Sequence, residues 1–270
     1  MRSSSRRRPP PLADMHAHIL ERADTAAEMR VADRPDFPAL VSALELRLGA
    51  RGVVRALVHL LDGRVIGRPL PPSRRLAFTA LLDFRTARAE ESVRRARRGG
   101  LAGLKLLPYE QKIRPADYPT ILRAARETQR QKMFLVLCST FGSRSLYEHD
   151  ALALASHLLQ KGYAAPLILA HAGGCRVREA YLLMDDAPNV YIDTSFTTTY
   201  WKGSGVIDDL AHLIRRFPDR CFFGSDSPGV PWEEALRDAQ PLLRRLPASV
   251  RRKLLHDNAA EFLRQRSPAR

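Results

Sequence analysis

Pro166-Leu167-Ile168-Leu169-Ala170-His171-Ala172-Gly173-Gly174 is an apolar run that ends at a histidine followed by glycines. It is too short for an ordinary helix and is closed by turn residues, so it reads as a buried strand. Amphipathic stretches flank it at Tyr147–Lys161 and Arg178–Asp185. The same alternation fills the rest of the chain. Strands are expected at Leu12–His16, Val53–Leu60, Leu76–Asp83, Leu101–Leu107, Met133–Ser139, Pro166–His171, Val190–Thr194 and Cys221–Ser225. Further helices are expected at Asp36–Gly49, Thr86–Arg98, Ala116–Arg130, Val206–Phe217, Glu233–Leu246 and from Ala248 to Arg264. Asp62–Arg75, rich in Gly, Pro and Arg, should hold no full helix. Strands separated by helices pair in parallel through crossovers. Eight such units in 270 residues fit an α/β fold of the closed (β/α)8 TIM type, a single domain over residues 12–270. Residues 1–11, made largely of Ser, Arg and Pro, read as a short disordered basic arm that is dispensable for the fold.

Composition narrows the class. The chain is 45% hydrophobic and 27% charged, with no apolar run long enough to span a membrane, which fits a soluble domain and excludes collagen-like and disulfide-scaffold classes. The formal charge is +15, yet only six of the 44 basic residues are lysines. Arginines scattered in pairs over expected helices favour a solvated basic surface over a nucleic-acid groove. Cys138, Cys175 and Cys221 show no paired spacing, and their odd number fits a reducing cytoplasm.

In such a barrel the site lies at the C-terminal ends of the strands. The first strand ends Asp14-Met15-His16-Ala17-His18. Residues two apart on a strand share a face, so His16 and His18 point inward together, as a chelating imidazole pair does. The eighth strand ends Phe222-Phe223-Gly224-Ser225-Asp226, bringing a carboxylate that binds a cation, takes a proton or caps the next segment. His171 ends strand six, either as a hydrogen-bonded core histidine or as a site residue. This mix of donors suits Zn2+, and also Fe2+ or Mn2+. His59 ends strand two and is placed to face the same cup. Lys105, at the end of strand four, and Arg144 and Trp201, in later loops, are candidate substrate contacts by location, as are Tyr109 and Tyr200.

Asp14-x-His16-x-His18, Gly103-Leu104-Lys105-Leu106-Leu107-Pro108, Leu169-Ala170-His171-Ala172-Gly173-Gly174, Asn189-Val190-Tyr191-Ile192-Asp193-Thr194-Ser195, Phe223-Gly224-Ser225-Asp226-Ser227-Pro228 and Asn258-Ala259-Ala260-Glu261-Phe262 stand in this order. Together they resemble the amidohydrolase superfamily, in particular its amidohydrolase-2 branch of metal-dependent hydrolases and decarboxylases. The resemblance implies one divalent metal held by His16, His18 and Asp226. Asp226 would be the general base, and His171 would bind the attacking water or the substrate. It also implies a histidine ligand ending strand five, where this chain has Cys138. That cysteine is read as a thiolate ligand, as a vacated ligand position or as a nucleophile.

The function expected is hydrolysis of a C–O or C–N bond in a small polar molecule by a metal-activated water. Nonoxidative decarboxylation on the same scaffold is the alternative. Two others are a barrel that has lost catalysis and binds a ligand or a partner, and a TatD-like nuclease, against which Lys105 stands where that family carries a glutamate and Gly224-Ser225 where it carries a glutamate-threonine pair. No nucleic acid and no membrane are expected as partners, and the sequence leaves room for a homo-oligomer.

Overall fold

The computed structural model describes residues 11–19, 31, 32, 34–140 and 145–266, with the side chains of residues 145 and 146 excepted. The basic arm up to residue 10 and Arg144 lie outside the described residues. Eight strands form one sheet in sequence order: β1 Leu12–Ala17, β2 Val53–Leu60, β3 Leu76–Leu81, β4 Gly103–Leu106, β5 Phe134–Cys138, β6 Leu167–Ala170, β7 Val190–Asp193 and β8 Cys221–Phe222. Every neighbouring pair is parallel. β8 is short, and the segment after it closes the ring. Met15 N donates to Phe223 O (2.9 Å), Asp226 N to His16 O (2.8 Å) and His18 N to Ser227 O (2.7 Å). This is the TIM-type barrel expected from the alternation, in one domain.

The crossover helices are α1 Phe37–Ala50, α2 Ala89–Arg98, α3 Tyr118–Arg130, α4 Ala151–Gln160, α5 Val177–Asp186 and α6 Val206–Arg216. Each lays an apolar stripe on the sheet. In α2 the stripe is Ala89, Val93 and Ala96, while Glu90 and Glu91 open the helix and Arg95, Arg97 and Arg98 close it, matching its dipole. Asp150 starts α4 by accepting from the backbone N–H groups of Leu152 and Ala153. The segment between β2 and β3 holds one short 3-10 turn, as its composition requires. The helix expected over Glu233–Leu246 is instead two, Trp232–Asp238 and Gln240–Arg244. Pro241 causes the break, because it has no N–H to continue the ladder. The helix expected from Ala248 is likewise interrupted, by a wider turn over Lys253–Asp257, before α7 Asn258–Arg266.

The apolar residues divide into two groups. One lies between sheet and helices. The other fills the barrel and includes Ala13, Met15, Leu57, Phe134, Val136, Ile168, Phe222 and, from α7, Phe262. Phe262 meets Phe134, Tyr191 and Phe222 at ring separations of 5.1–5.2 Å. Asn258 pins α7 there by donating to Pro218 O and Cys221 O, each at 2.8 Å. The barrel thus has an apolar floor, and its polar residues gather above it.

Candidate metal centre at the barrel mouth

Ala13 and Met15 belong to the apolar interior, yet His16 also points inward. Strict alternation forbids this. The β1–β2 register shifts between Asp14 and Ala17, and the irregularity turns His16 into the cup directly above Met15. Asp14 steadies this turn, accepting from His16 N (3.0 Å), Ser225 N (2.9 Å) and Ser225 Oγ (2.6 Å). It is fully buried, and burial raises its carboxyl to about 6 despite these donors.

Three expected residues converge. His16 Nε2 lies 3.3 Å and His18 Nε2 3.5 Å from the same oxygen, Asp226 Oδ1. The donor atoms of His16, His18 and Asp226 all fall within 4.8 Å of one another. The outer nitrogens are engaged elsewhere. His18 Nδ1 faces His59 O at 3.0 Å, and His16 Nδ1 faces Asp193 Oδ2 at 3.1 Å. Outer partners of this kind fix the ring and turn the inner nitrogen toward the cup, where that of His16 meets Lys105 Nζ at 2.9 Å. Burial, reinforced by Lys105, holds both imidazoles below their ordinary range, so they are neutral, as metal ligands must be. Burial alone would raise Asp226, but His16, His18 and His171 hold it well below the usual carboxylate range. Two neutral imidazoles and one carboxylate, buried and oriented, fit a divalent cation.

His171 caps β6 beside this set, its ring 4.6 Å from that of His16. Its backbone has φ 66°, and Ala172, Gly173 and Gly174 are also left-handed, so the chain leaves the strand through a tight reversal. Burial would lower its pKa, but Cys138, Asp226 and Asp193 outweigh burial and raise it to about 9. A folded-state pKa above the free value of about 6.5 stabilises the fold fully below that value and ceases to do so as pH climbs through 9. In metal-free protein the melting temperature should therefore fall between pH 6.5 and 9, by the equivalent of roughly 3 kcal/mol. His171→Asn, chosen because asparagine accepts a left-handed backbone, should flatten that slope. An unchanged slope would remove His171 as its source.

Cys138, buried at the end of β5, pairs in register with Ala170, and its thiol is near enough to His171 to help raise that histidine's pKa. Its sulfur does not belong to the convergent donor set. Lys105 is also buried, and its Nζ donates to His16 Nε2 at 2.9 Å rather than facing solvent. Trp201 lies farther out. Its ring meets Tyr200, Tyr200 stacks on Phe196, and Phe196 is 6.0 Å from His171. Tyr109 is half-buried at the mouth, and burial, with Cys138, Glu110 and Asp226 nearby, raises its phenol so that it stays a proton donor. His59 does face the cup, with its ring 4.3 Å from that of His16 and Nδ1 2.6 Å from Thr79 Oγ1. Its buried Nε2 has no hydrogen-bond partner among the described residues.

Asp193 and Ser195 hold the histidines in place, a role the sequence did not assign them. Their spacing of two at the end of β7 was the available signal, the same one that singled out His16 and His18. Gly224 lies close against them. A Cβ there would stand 2.7 Å from His16 Cβ and 3.0 Å from Ser195 Cβ.

Comparison with known proteins agrees with this architecture. A family model described as Amidohydrolase (Amidohydro_2) matches residues 13–265. No curated protein matches the chain by sequence. Solved structures share the fold at low identity. A probable 2-pyrone-4,6-dicarboxylic acid hydrolase from Acinetobacter baumannii, with citric acid bound, superposes with TM-score 0.65 at 16% identity, over 93% of this chain and 98% of its own. A 2,6-dihydroxybenzoate decarboxylase complexed with 2,6-dihydroxybenzoate gives TM-score 0.60 at 17% identity, over 95% and 100%. A 4-oxalomesaconate hydratase from Rhodopseudomonas palustris gives 0.62 at 13%, over 93% and 94%.

Proposed function

Because this chain belongs to the amidohydrolase family, we propose that it is a mononuclear metal-dependent hydrolase cleaving a C–O or C–N bond of a small carboxylated molecule. The observation that carries this reading is the sharing of Asp226 Oδ1 by His16 Nε2 and His18 Nε2. A divalent ion held there, Zn2+ before Fe2+ or Mn2+, would lower the pKa of a bound water toward 7 and polarise a substrate carbonyl. Asp226 is ionised and partly open to the cleft, so it accepts the proton of the attacking water. His171, charged below about pH 9, offers its inner N–H to oxygen charge that develops on the substrate. Lys105 and His171 place positive charge near the donor set, which suits a substrate carboxylate. Tyr109 supplies a neutral hydroxyl at the mouth.

Nonoxidative decarboxylation is the second reading, favoured by the structural likeness to a dihydroxybenzoate decarboxylase. A nucleic-acid partner is not proposed. Surface arginines such as Arg94, Arg123, Arg245 and Arg264 are paired with neighbouring carboxylates. The described structure offers no helix long and apolar enough to cross a membrane. Three free cysteines fit a cytoplasmic setting.

The test is metal analysis joined to a panel of lactones, amides and aromatic carboxylic acids, with CO2 release scored separately. Stripped protein should be inactive, and one Zn2+, Fe2+ or Mn2+ per chain should restore turnover. Turnover by metal-free protein would overturn the mechanism. Cys138 sharpens the test. With its sulfur outside the donor set, Cys138→Ala should keep the metal, whereas Cys138→His should bind it about tenfold more tightly by adding an imidazole donor. Loss of metal in Cys138→Ala would make the thiolate a ligand after all.

A further inference from the structure

A second set of donors lies behind the first. His16, His171 and Asp193 also bring ligand-type atoms within 4.8 Å of one another. The centre of this set is filled by a hydroxyl. Ser195 Oγ is 3.0 Å from His16 Nδ1, 2.9 Å from His171 Nδ1 and in very short contact with Asp193 Oδ1. We propose that Ser195, held by Asp193, is a positioning residue that fixes the proton of both His16 and His171 on Nδ1, locking the metal ligand and the substrate-facing histidine as one unit. This rests on the metal-site reading given above.

Hydrogen-bond valence places the protons. A serine hydroxyl has one proton and two lone pairs. Asp193 can only accept, so the proton goes to it. Both lone pairs are then left for the two Nδ1 atoms, and each must carry hydrogen. Independent contacts demand the same. Lys105 Nζ, a donor, lies 2.9 Å from His16 Nε2, which must therefore accept. His16 Nδ1 also meets Asp193 Oδ2 at 3.1 Å, and His171 Nδ1 meets Ser195 O at 3.1 Å, both acceptors. Asp193 Oδ1 further takes the backbone N–H groups of Ser195 (3.0 Å) and His171 (3.2 Å).

The backbone is bent to suit. Phe196 has φ 57° and ψ −44°, and Thr197 N donates across it to Ser195 O at 2.5 Å, a strained γ-turn. Thr197 Oγ1 reaches back to His171 O at 2.5 Å. The turn presents both the hydroxyl and the carbonyl of Ser195 to His171. Removing the hydroxyl leaves His171, once it is neutral, free to choose either tautomer and weakens the hold on His16.

The experiment is a long-range 1H–15N imidazole spectrum of Zn2+-loaded wild type and of Ser195→Ala, recorded above pH 9, where His171 is neutral and has a tautomer to choose, and assigned through single His→Gln variants. Zn2+ affinity is measured alongside by chelator competition. In wild type both Nδ1 atoms should be protonated. In Ser195→Ala the His171 signals should show mixed tautomers, and Zn2+ affinity should fall 10–100-fold. An unprotonated Nδ1 on either histidine in wild type overturns the proposal. So does a Ser195→Ala protein that melts lower but keeps wild-type tautomers and affinity, since that is the behaviour of a packing residue. If wild type takes up none of Zn2+, Fe2+ and Mn2+, the hydrolase reading fails by itself, and the spectrum of metal-free wild type still decides the role of Ser195.

Discussion

Asp226→Ala should abolish turnover of any substrate the wild type accepts, by about 10^3-fold or more, and should release the metal. Asp226 supplies the only carboxylate of the convergent set and bridges both imidazoles through one oxygen. Its removal deletes a ligand and a proton acceptor together, and general-base catalysis alone is worth about 10^2–10^4-fold. Asp226→Asn separates the two roles. An amide oxygen still ligates weakly but takes no proton, so this variant should keep part of the metal and lose the activity. The measurements are metal content and kcat. Asp226→Asn with more than a tenth of wild-type kcat would mean that another group accepts the proton.

Gly224→Ala is expected to have the next largest effect. The added methyl would meet His16 Cβ at 2.7 Å and Ser195 Cβ at 3.0 Å, both atoms fixed to backbone. Overpacking of this kind costs about 1–3 kcal/mol, or a melting point lowered by roughly 2–10 °C in a chain of this size. The greater loss should be in metal binding, because the strain falls on a ligand and on the serine that orients it. An affinity 10–100-fold weaker than wild type is expected. Chelator competition and thermal melts check this together. Wild-type affinity in a destabilised Gly224→Ala would show that His16 tolerates displacement.

The barrel was legible because each strand is an apolar run closed by polar or turn residues, and a run such as Leu167–Ala170 has few other ways to be buried. The meeting of His16, His18 and Asp226 followed from the rule that strand ends face one cup. Other features needed coordinates. Met15 and His16 both face inward, which no alternating pattern shows, because a register break separates them. Whether Cys138 joins the donor set turns on an ångström or two, below the reach of strand register. Lys105 has the length to reach either a substrate or His16, and only packing selects His16. Trp201 was placed by loop position, yet a loop fixes a neighbourhood rather than a contact, and two rings stand between it and His171.

The apolar floor of the barrel has a consequence for how the protein is made. Phe134, Tyr191 and Phe222 come from strands, but the ring that covers them, Phe262, belongs to a helix that follows all eight strands in the chain. On the ribosome every strand is therefore synthesised before the residue that seals the space between them. Until α7 has cleared the exit tunnel, a nascent barrel presents water with an aromatic-lined opening, a surface of the kind that chaperones bind. The order of translation thus leaves the site's foundation to be closed last, after the histidines above it have already been delivered.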